Sequence, residues 1–300
     1  MRPPKFEAAR GFVLAGRMVS APASWAGLAL SRTLVMGILN ITPDSFSDGG
    51  AHAGTTAAIA AGRRMMAEGA DILDIGGEST RPGAAPVAPA QEQARILPVI
   101  RALAAEGAVI SVDTRNAATR AAALDAGARI INDVSALCHD PAALLLVAAR
   151  GCPVVLMHMR GTPETMHGLA TYKDVTAEVL AELLAARNRA VAAGVAPAAI
   201  ALDPGLGFAK RGAQNSALLR ATAQFAAQGH ALLIALSRKR FLGEISGEAE
   251  AGRRDAESLA AGLFAVARGA HILRVHDVTG TARALRVWRS LNVSDDGQSG

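Results

Sequence analysis

Eight short apolar runs in this sequence each end in residues that can hydrogen-bond or carry charge. The first closes on Asn40, the second carries Asp74 and leads to Glu78, Ser79, Thr80 and Arg81, and the third closes on Asp113 and Thr114. Asn132 and Asp133 follow the fourth, His158 the fifth, Asp203 the sixth, and Ser237, Arg238 and Lys239 the seventh. The eighth holds Arg274 and Val275 and runs into His276 and Asp277. Carboxylates and amides of this kind pair with N–H donors, and arginine, lysine and histidine bind anions. Each also has an ordinary structural use. An acid or amide after a strand commonly caps the next helix, and Asp74, Asp133 and Asp277 fit that use. A loop rich in Gly, Ser, Asp and Pro is by default a turn. A lone Lys239 would serve as a solvated charge, and His158 and His276 as satisfied core residues. Capping does not, however, require all eight runs to carry polar groups at the same end.

The elements that would hold these residues follow from periodicity. Apolar, β-branched stretches fall at 33–39, 72–75, 109–112, 129–131, 153–157, 199–202, 232–236 and 272–275. Between them lie longer, alanine-rich amphipathic stretches at 55–68, 90–106, 115–126, 141–150, 175–193, 215–228, 254–268 and 278–291. Strands alternating with helices in this way argue for parallel strands joined by crossovers. Seven helical stretches end just before a glycine, at Gly69, Gly107, Gly127, Gly151, Gly194, Gly229 and Gly269, as helix C-termini prefer. Eight such cycles in 300 residues favour a closed (β/α)8 TIM barrel in a single domain. A doubly wound sheet would show the G-x-G-x-x-G fingerprint after its first strand, and no such motif is present there. The barrel is expected over 32–291, with an N-terminal tail and small hairpin or plug before it, the latter over 25–30, and a flexible tail over 292–300. In this architecture catalysis belongs to the C-terminal rim of the strands, where the polar groups fall.

The totals exclude several classes. A formal charge of +5 is spread without a block of like charges, which suits a phosphate-bearing substrate and not a nucleic-acid stripe. No apolar stretch reaches the roughly 18 to 20 residues that span a bilayer. The basic N-terminal run lacks the apolar centre of a targeting signal, so a cytoplasmic protein is expected. Cys138 and Cys152 are too few for a disulfide framework and read as packing residues in a reducing compartment.

Seven ordered stretches, 37–50, 76–83, 132–134, 156–166, 203–210, 237–239 and 269–277, resemble dihydropteroate synthase, and the resemblance extends over about 32–290. It implies a transferase of folate biosynthesis that joins 6-hydroxymethyl-7,8-dihydropterin diphosphate to 4-aminobenzoate, forming 7,8-dihydropteroate and diphosphate. It further implies that Asp113, Asn132, Asp203 and Lys239 hold the pterin, and that Arg274, Val275 and His276 serve the diphosphate end. Lys239, Arg274 and His276 would act in catalysis, and Asn40 would place its oxygen on Mg²⁺. Thr80 and Arg81 would touch the substrates from a closing loop, with Phe46 and Pro82 beside the aminobenzoate. A homodimer is implied as well, and so is competition between sulfonamides and 4-aminobenzoate. The chemistry agrees with these roles. A carboxylate such as Asp203 can accept from the 2-amino pyrimidine edge in a fork, and Mg²⁺ usually reaches a protein through few side chains plus substrate phosphates.

Three positions depart from the family pattern: Arg240 where serine is common, Gln214 where histidine is common, and Ala235 where glycine is common. None belongs to the pterin set, and Arg240 offers a guanidinium for the aminobenzoate carboxylate. Three other readings compete. A pterin-binding methyltransferase shares the barrel but does not need Asn40, Arg274 and His276 at a diphosphate. A barrel glycosidase would want aromatic sugar platforms, and this chain is only 3% aromatic. A non-catalytic ligand-binding barrel is separated from these only by assay.

Overall fold

A computed structural model of the chain describes residues 21–42, 50–78 and 87–292, together with the backbone of two short strands, β1 (Phe12–Leu14) and β2 (Arg17–Val19). β1 and β2 pair antiparallel, a hairpin that the sequence did not suggest. A second hairpin, β3 (Ser24–Trp25) with β4 (Leu28–Ala29), falls on the expected plug. Trp25 is 2% exposed and donates its indole N–H to the Ala199 carbonyl at 2.9 Å. It packs with Leu34, Met36, Ile72, Ile130, Val155 and Ile272, so an aromatic ring closes the floor of the barrel.

Eight parallel strands close around that floor: β5 (Leu34–Asn40), β6 (Ile72–Gly76), β7 (Ile110–Asp113), β8 (Ile130–Asp133), β9 (Val154–Met157), β10 (Ile200–Asp203), β11 (Ala231–Ala235) and β12 (Ile272–Val275). Each pairs with its neighbours in sequence, and β12 closes onto β5 through Ile272 opposite Leu34 and Val275 opposite Gly37. The barrel matches the expected architecture strand for strand. Five of the eight strands run one or two residues further than their apolar run. Asn40, Asp113, Asp133 and Asp203 are the last residues of their strands. Their backbone groups continue the ladder although their side chains are polar, which an apolar-run criterion cannot register.

The helices are α1 (Gly50–Glu68), α2 (Pro89–Ala105), α3 (Ala117–Asp125), α4 (Ala143–Arg150), α5 (Val175–Ala192), α6 (Gly212–Arg220), α7 (Thr222–Ala226), α8 (Arg240–Ser246), α9 (Asp255–Val266) and α10 (Val278–Asn292). All seven glycines named above have positive φ, between +60° and +110°. The single stretch expected at 215–228 is two helices divided at Ala221, where the Thr222 hydroxyl donates to Leu219 O at 2.7 Å and competes with the helical ladder. Helix α8 was not anticipated. It has seven residues and contains Gly243, where a Cβ would come within 2.2 Å of Glu248 O; close packing therefore demands the residue that weakens the local helix signal. Cys152 is buried as expected, but Cys138 is exposed and does not pack. Among the described residues, no helix is long and apolar enough to cross a membrane.

Candidate active site

Side-chain parity sorts the strand-end residues. Along each strand alternate residues face the barrel axis or the helix layer. Leu34, Met36, Ile72, Ile130, Val155, Ala201, Leu233 and Ile272 belong to the inner cluster, whereas Val35, Leu73, Val112, Ile131, Leu202, Leu232 and Leu273 belong to the outer one. Continuing the alternation upward turns Asn40, Asp74, Asp113, Asn132, Asp203, Ser237, Arg274 and His276 inward. Register reinforces this, because Asn40 pairs with Gly76, Gly76 with Asp113, and Asp113 with Asn132, a continuous row across four strands.

The inward groups meet. Arg274 donates Nε to Asp74 Oδ2 at 2.6 Å and Nη2 to Asp113 Oδ2 at 2.7 Å. Asn132 donates Nδ2 to the same Asp74 oxygen at 3.1 Å. Asp74 is therefore not the helix cap that its position suggested. It is fully buried inside the barrel and fixes both Arg274 and Asn132. A guanidinium has five N–H donors, so these two bonds leave Arg274 donors for a ligand. Asn40 Oδ1 lies 3.6 Å from the position of a Cβ on Gly76, and glycine there keeps the space between Asn40 and Asp113 open. His276 donates its backbone N–H to Ser237 Oγ at 3.0 Å, and its Nδ1 lies 2.8 Å from the same oxygen.

Lys239 owes its place to a turn. Arg238 has φ +58°, a left-handed conformation that costs a non-glycine residue about 1 kcal/mol or more. It is held there by two bonds from its guanidinium to Asp255, at 2.7 and 2.8 Å, and by its N–H to Ser258 Oγ. The Lys239 ammonium then lies 4.5 Å from the Phe208 ring centroid, an attractive cation–π distance, and within the field of Asp203, Arg274 and Asp113.

The electrostatics are those of charges crowded out of water. Burial pushes the Asp113 carboxyl up to about 7; Arg274 resists, and Asp74, Asp133 and Glu92 add to the rise. Burial also raises Asp203, opposed first by the Gly205 N–H that its Oδ1 accepts at 2.7 Å and then by Lys239. Burial lowers Lys239 to about 8, with Asp203 pulling the other way. Burial disfavours the Arg274 cation too, but Asp74 and Asp113 outweigh it and hold its pKa above the usual value.

Other expected residues stand elsewhere. Val275 faces outward into the helix-side core, so only its backbone is available at the site. Thr80, Arg81, Phe46 and Pro82 lie outside the described residues. Asp133 is structural: it faces the helix layer, pairs with buried Arg120 at 2.6 Å and accepts from Ser135 and Leu137 N–H. Asp277 caps α10 through Gly280 N. Arg240 is 87% exposed and pairs with Glu244 one turn on. Gln214 accepts from Arg211 N and donates to Ala170 O, and Ala235 packs in the barrel interior. His158 is a satisfied core residue, between Glu182 Oε2 and Lys210 Nζ at 2.9 Å each. A groove of about 490 Å³ beside α5, lined by Ser135, Met157, Glu182 and Arg189 among others, includes none of the inward-facing set.

Asn40 is one neutral oxygen, and among the described residues no three His, Cys, Asp or Glu side chains gather as a metal cluster. That donor set suits Mg²⁺ carried in on phosphate oxygens and would not suit a metal held by protein alone.

The pterin binding enzyme family matches residues 36–276 of the chain. A dihydropteroate synthase of Neisseria meningitidis serogroup B is 47% identical over 272 residues, covering 89% of this chain and 95% of its own. The Xanthomonas albilineans dihydropteroate synthase solved with 4-aminobenzoic acid superposes with a TM-score of 0.84 at 46% identity, covering 93% of this chain and 97% of its own. The same enzyme in complex with 7,8-dihydropteroate gives 0.81 at 44% identity, covering 89% and 96%. The inward-facing polar ring thus sits in a barrel whose whole length is shared with these enzymes, and the chain belongs to the pterin-binding enzyme family and, within it, to the dihydropteroate synthases.

Proposed function

We propose that this chain condenses 6-hydroxymethyl-7,8-dihydropterin diphosphate with 4-aminobenzoate, releasing 7,8-dihydropteroate and diphosphate, as a cytoplasmic homodimer. The observation that carries the reaction is the bridge in which Arg274 links Asp74 and Asp113 beside Asn132, with Asp203 and Lys239 facing the same space. Carboxylate acceptors and cationic donors both face that space, as the edge of a flat bicyclic ring requires. Asp203 keeps one oxygen on Gly205 N–H and offers the other to the pterin 2-amino edge. Asp113 and Asn132 meet the remaining ring nitrogens, and Lys239 donates to the carbonyl side, which fixes which way round the heterocycle lies.

The diphosphate leaves with the electron pair of the C–O bond, so negative charge grows on its bridging oxygen and positive charge on the pterin methylene. Arg274 and His276 are fixed on the strand end below it and need no reorganisation as that charge appears. When bound, Mg²⁺ with Asn40 among its ligands supplies further charge neutralisation at the diphosphate. The arylamine nitrogen forms the new C–N bond and sheds one proton. Thr80, Arg81, Phe46 and Pro82, which lie outside the described residues, would contact the substrates on this reading and help keep water from the cationic carbon. On this reading sulfonamides compete with 4-aminobenzoate. Exposed Val287 and Leu291, one turn apart on α10, offer an apolar face for a second copy, which sedimentation at several concentrations tests.

The test of the reaction is to incubate the protein with Mg²⁺ and both substrates and to follow diphosphate and dihydropteroate together. Equal amounts of the two products are expected. Neither product forming, under conditions where a pterin binds, would refute the assignment and leave the methyltransferase or ligand-binding reading.

A further inference from the structure

The segment from Asp203 to Lys210 follows an unusual path. Gly205, Gly207 and Ala209 have φ of +66°, +85° and +50°, three left-handed residues in five. A Cβ on Gly205 would fall 2.0 Å from His158 O, so the chain crosses there at a distance that only glycine permits. The path is wound around one buried ammonium. Lys210 Nζ lies 2.8 Å from Phe208 O, 3.0 Å from Gly205 O, 3.2 Å from His158 O and 2.9 Å from His158 Nδ1. Lys210 is 6% exposed and none of the proposed chemistry uses it.

The outer face of the same wind bears on the site. With the Gly205 and Phe208 carbonyls drawn toward Lys210, the Phe208 ring is presented to the Lys239 ammonium at 4.5 Å. Gly207 lies along the Lys239 side chain, whose Cδ is 3.2 Å from where a Cβ on Gly207 would be. Gly207 N also donates to Asn215 Oδ1 at 2.6 Å, and Asn215 Nδ2 returns to Lys210 O at 3.3 Å, so the loop is braced on α6 as well. His158 accepts the lysine at Nδ1, which puts its proton on Nε2 facing Glu182 Oε2. Burial, then the Lys210 cation, lowers the imidazole to about 4 and keeps it an acceptor.

We propose that Lys210 is a positioning residue for pterin binding: by gathering the carbonyls of the β10–α6 loop it sets Phe208 and Gly207 against Lys239, and so fixes the Lys239 ammonium opposite Asp203. It touches no substrate and acts only through Lys239. The inference rests on the pterin reading above, so wild-type turnover is measured alongside.

The test is a double-mutant cycle of Lys210→Met with Lys239→Ala, read as the Kd for 6-hydroxymethylpterin by calorimetry, with Lys210→Gln in its place if the methionine variant does not fold. Lys210→Met should weaken the pterin about tenfold, and the double variant should bind no more weakly than Lys239→Ala alone, within threefold. The Mg²⁺ concentration for half-maximal turnover, set on β5 by Asn40, should stay within twofold in Lys210→Met, which a general loosening of the fold would not allow. Multiplicative losses in the cycle, or a shifted Mg²⁺ requirement, would overturn the positioning role. If wild type binds no pterin and forms no dihydropteroate, it is the functional reading that fails.

Discussion

Replacing Asp203 by asparagine tests the pterin edge with little disturbance to the fold. The side chain keeps its size, and the amide oxygen can still accept the Gly205 N–H now bonded to Oδ1 at 2.7 Å, so the β10–α6 loop retains its anchor. What changes is the atom facing the ligand, from an anionic acceptor to an N–H donor. A hydrogen bond to a charged group contributes about 1.5 to 3 kcal/mol, and leaving a buried donor opposed to another donor costs about 1 to 3 kcal/mol more. The expected loss is therefore about 2.5 to 6 kcal/mol, or roughly 60-fold to about 20,000-fold in Kd at about 1.4 kcal/mol per tenfold. Calorimetric titration with 6-hydroxymethylpterin measures it, with thermal melting to check that the variant is folded. Burial raises the wild-type carboxyl, so wild-type affinity should also weaken as pH falls through that raised value, whereas the variant should show no such limb. A variant affinity within threefold of wild type would remove Asp203 from the pterin edge.

Three further outcomes are expected. Asn40→Ala should lower turnover and raise the Mg²⁺ requirement while leaving 6-hydroxymethylpterin binding within threefold; equal losses in both would mean that Asn40 serves the fold. Asp113, raised by burial to about 7, must be ionised to pair with Arg274, and Lys239, lowered by burial to about 8, must be protonated. Hence kcat/KM should rise with pH to about 7 and fall above about 8, near tenfold per unit on each side, and a profile flat from pH 6 to 9 would contradict both assignments. Trp25→Ala removes a ring that is 2% exposed from the barrel floor and should cost about 3 to 5 kcal/mol in urea unfolding at unchanged m; a loss under 1 kcal/mol would mean that the plug is dispensable.

Much of this molecule was legible in its sequence, for identifiable reasons. The eight strands showed because a parallel strand buried on both faces must be apolar throughout, and the seven terminal glycines showed because their left-handed φ is costly for other residues. Polar residues, Asp113, Asn132, Asp203, Lys239 and Arg274 among them, were visible where the apolar runs stop, but only the family resemblance implied roles for these five at a pterin. Asp74 was misread for the same reason that it matters: one residue type caps helices and neutralises buried arginines, and only the parity of β6 distinguishes the two uses. Lys210 closes the 203–210 stretch that carries part of the family resemblance, but nothing local says that its ammonium turns back onto Gly205, Phe208 and His158. That depends on β9 and β10 lying side by side, with Met157 opposite Asp203. Val275 was named with its neighbours although alternation sends its side chain away from them. Helix α8 stayed hidden because Gly243 answers to packing and not to helix propensity.

The central claim is that one ring-shaped space between the strand ends grips the pterin. A crystal structure of the protein soaked with 6-hydroxymethylpterin measures this directly. The account predicts the heterocycle inside the barrel mouth, its 2-amino edge within hydrogen-bond distance of Asp203 and its other edges facing Asp113, Asn132 and Lys239. Finding the ring instead in the groove beside α5, against Ser135, Met157 and Arg189, would contradict it.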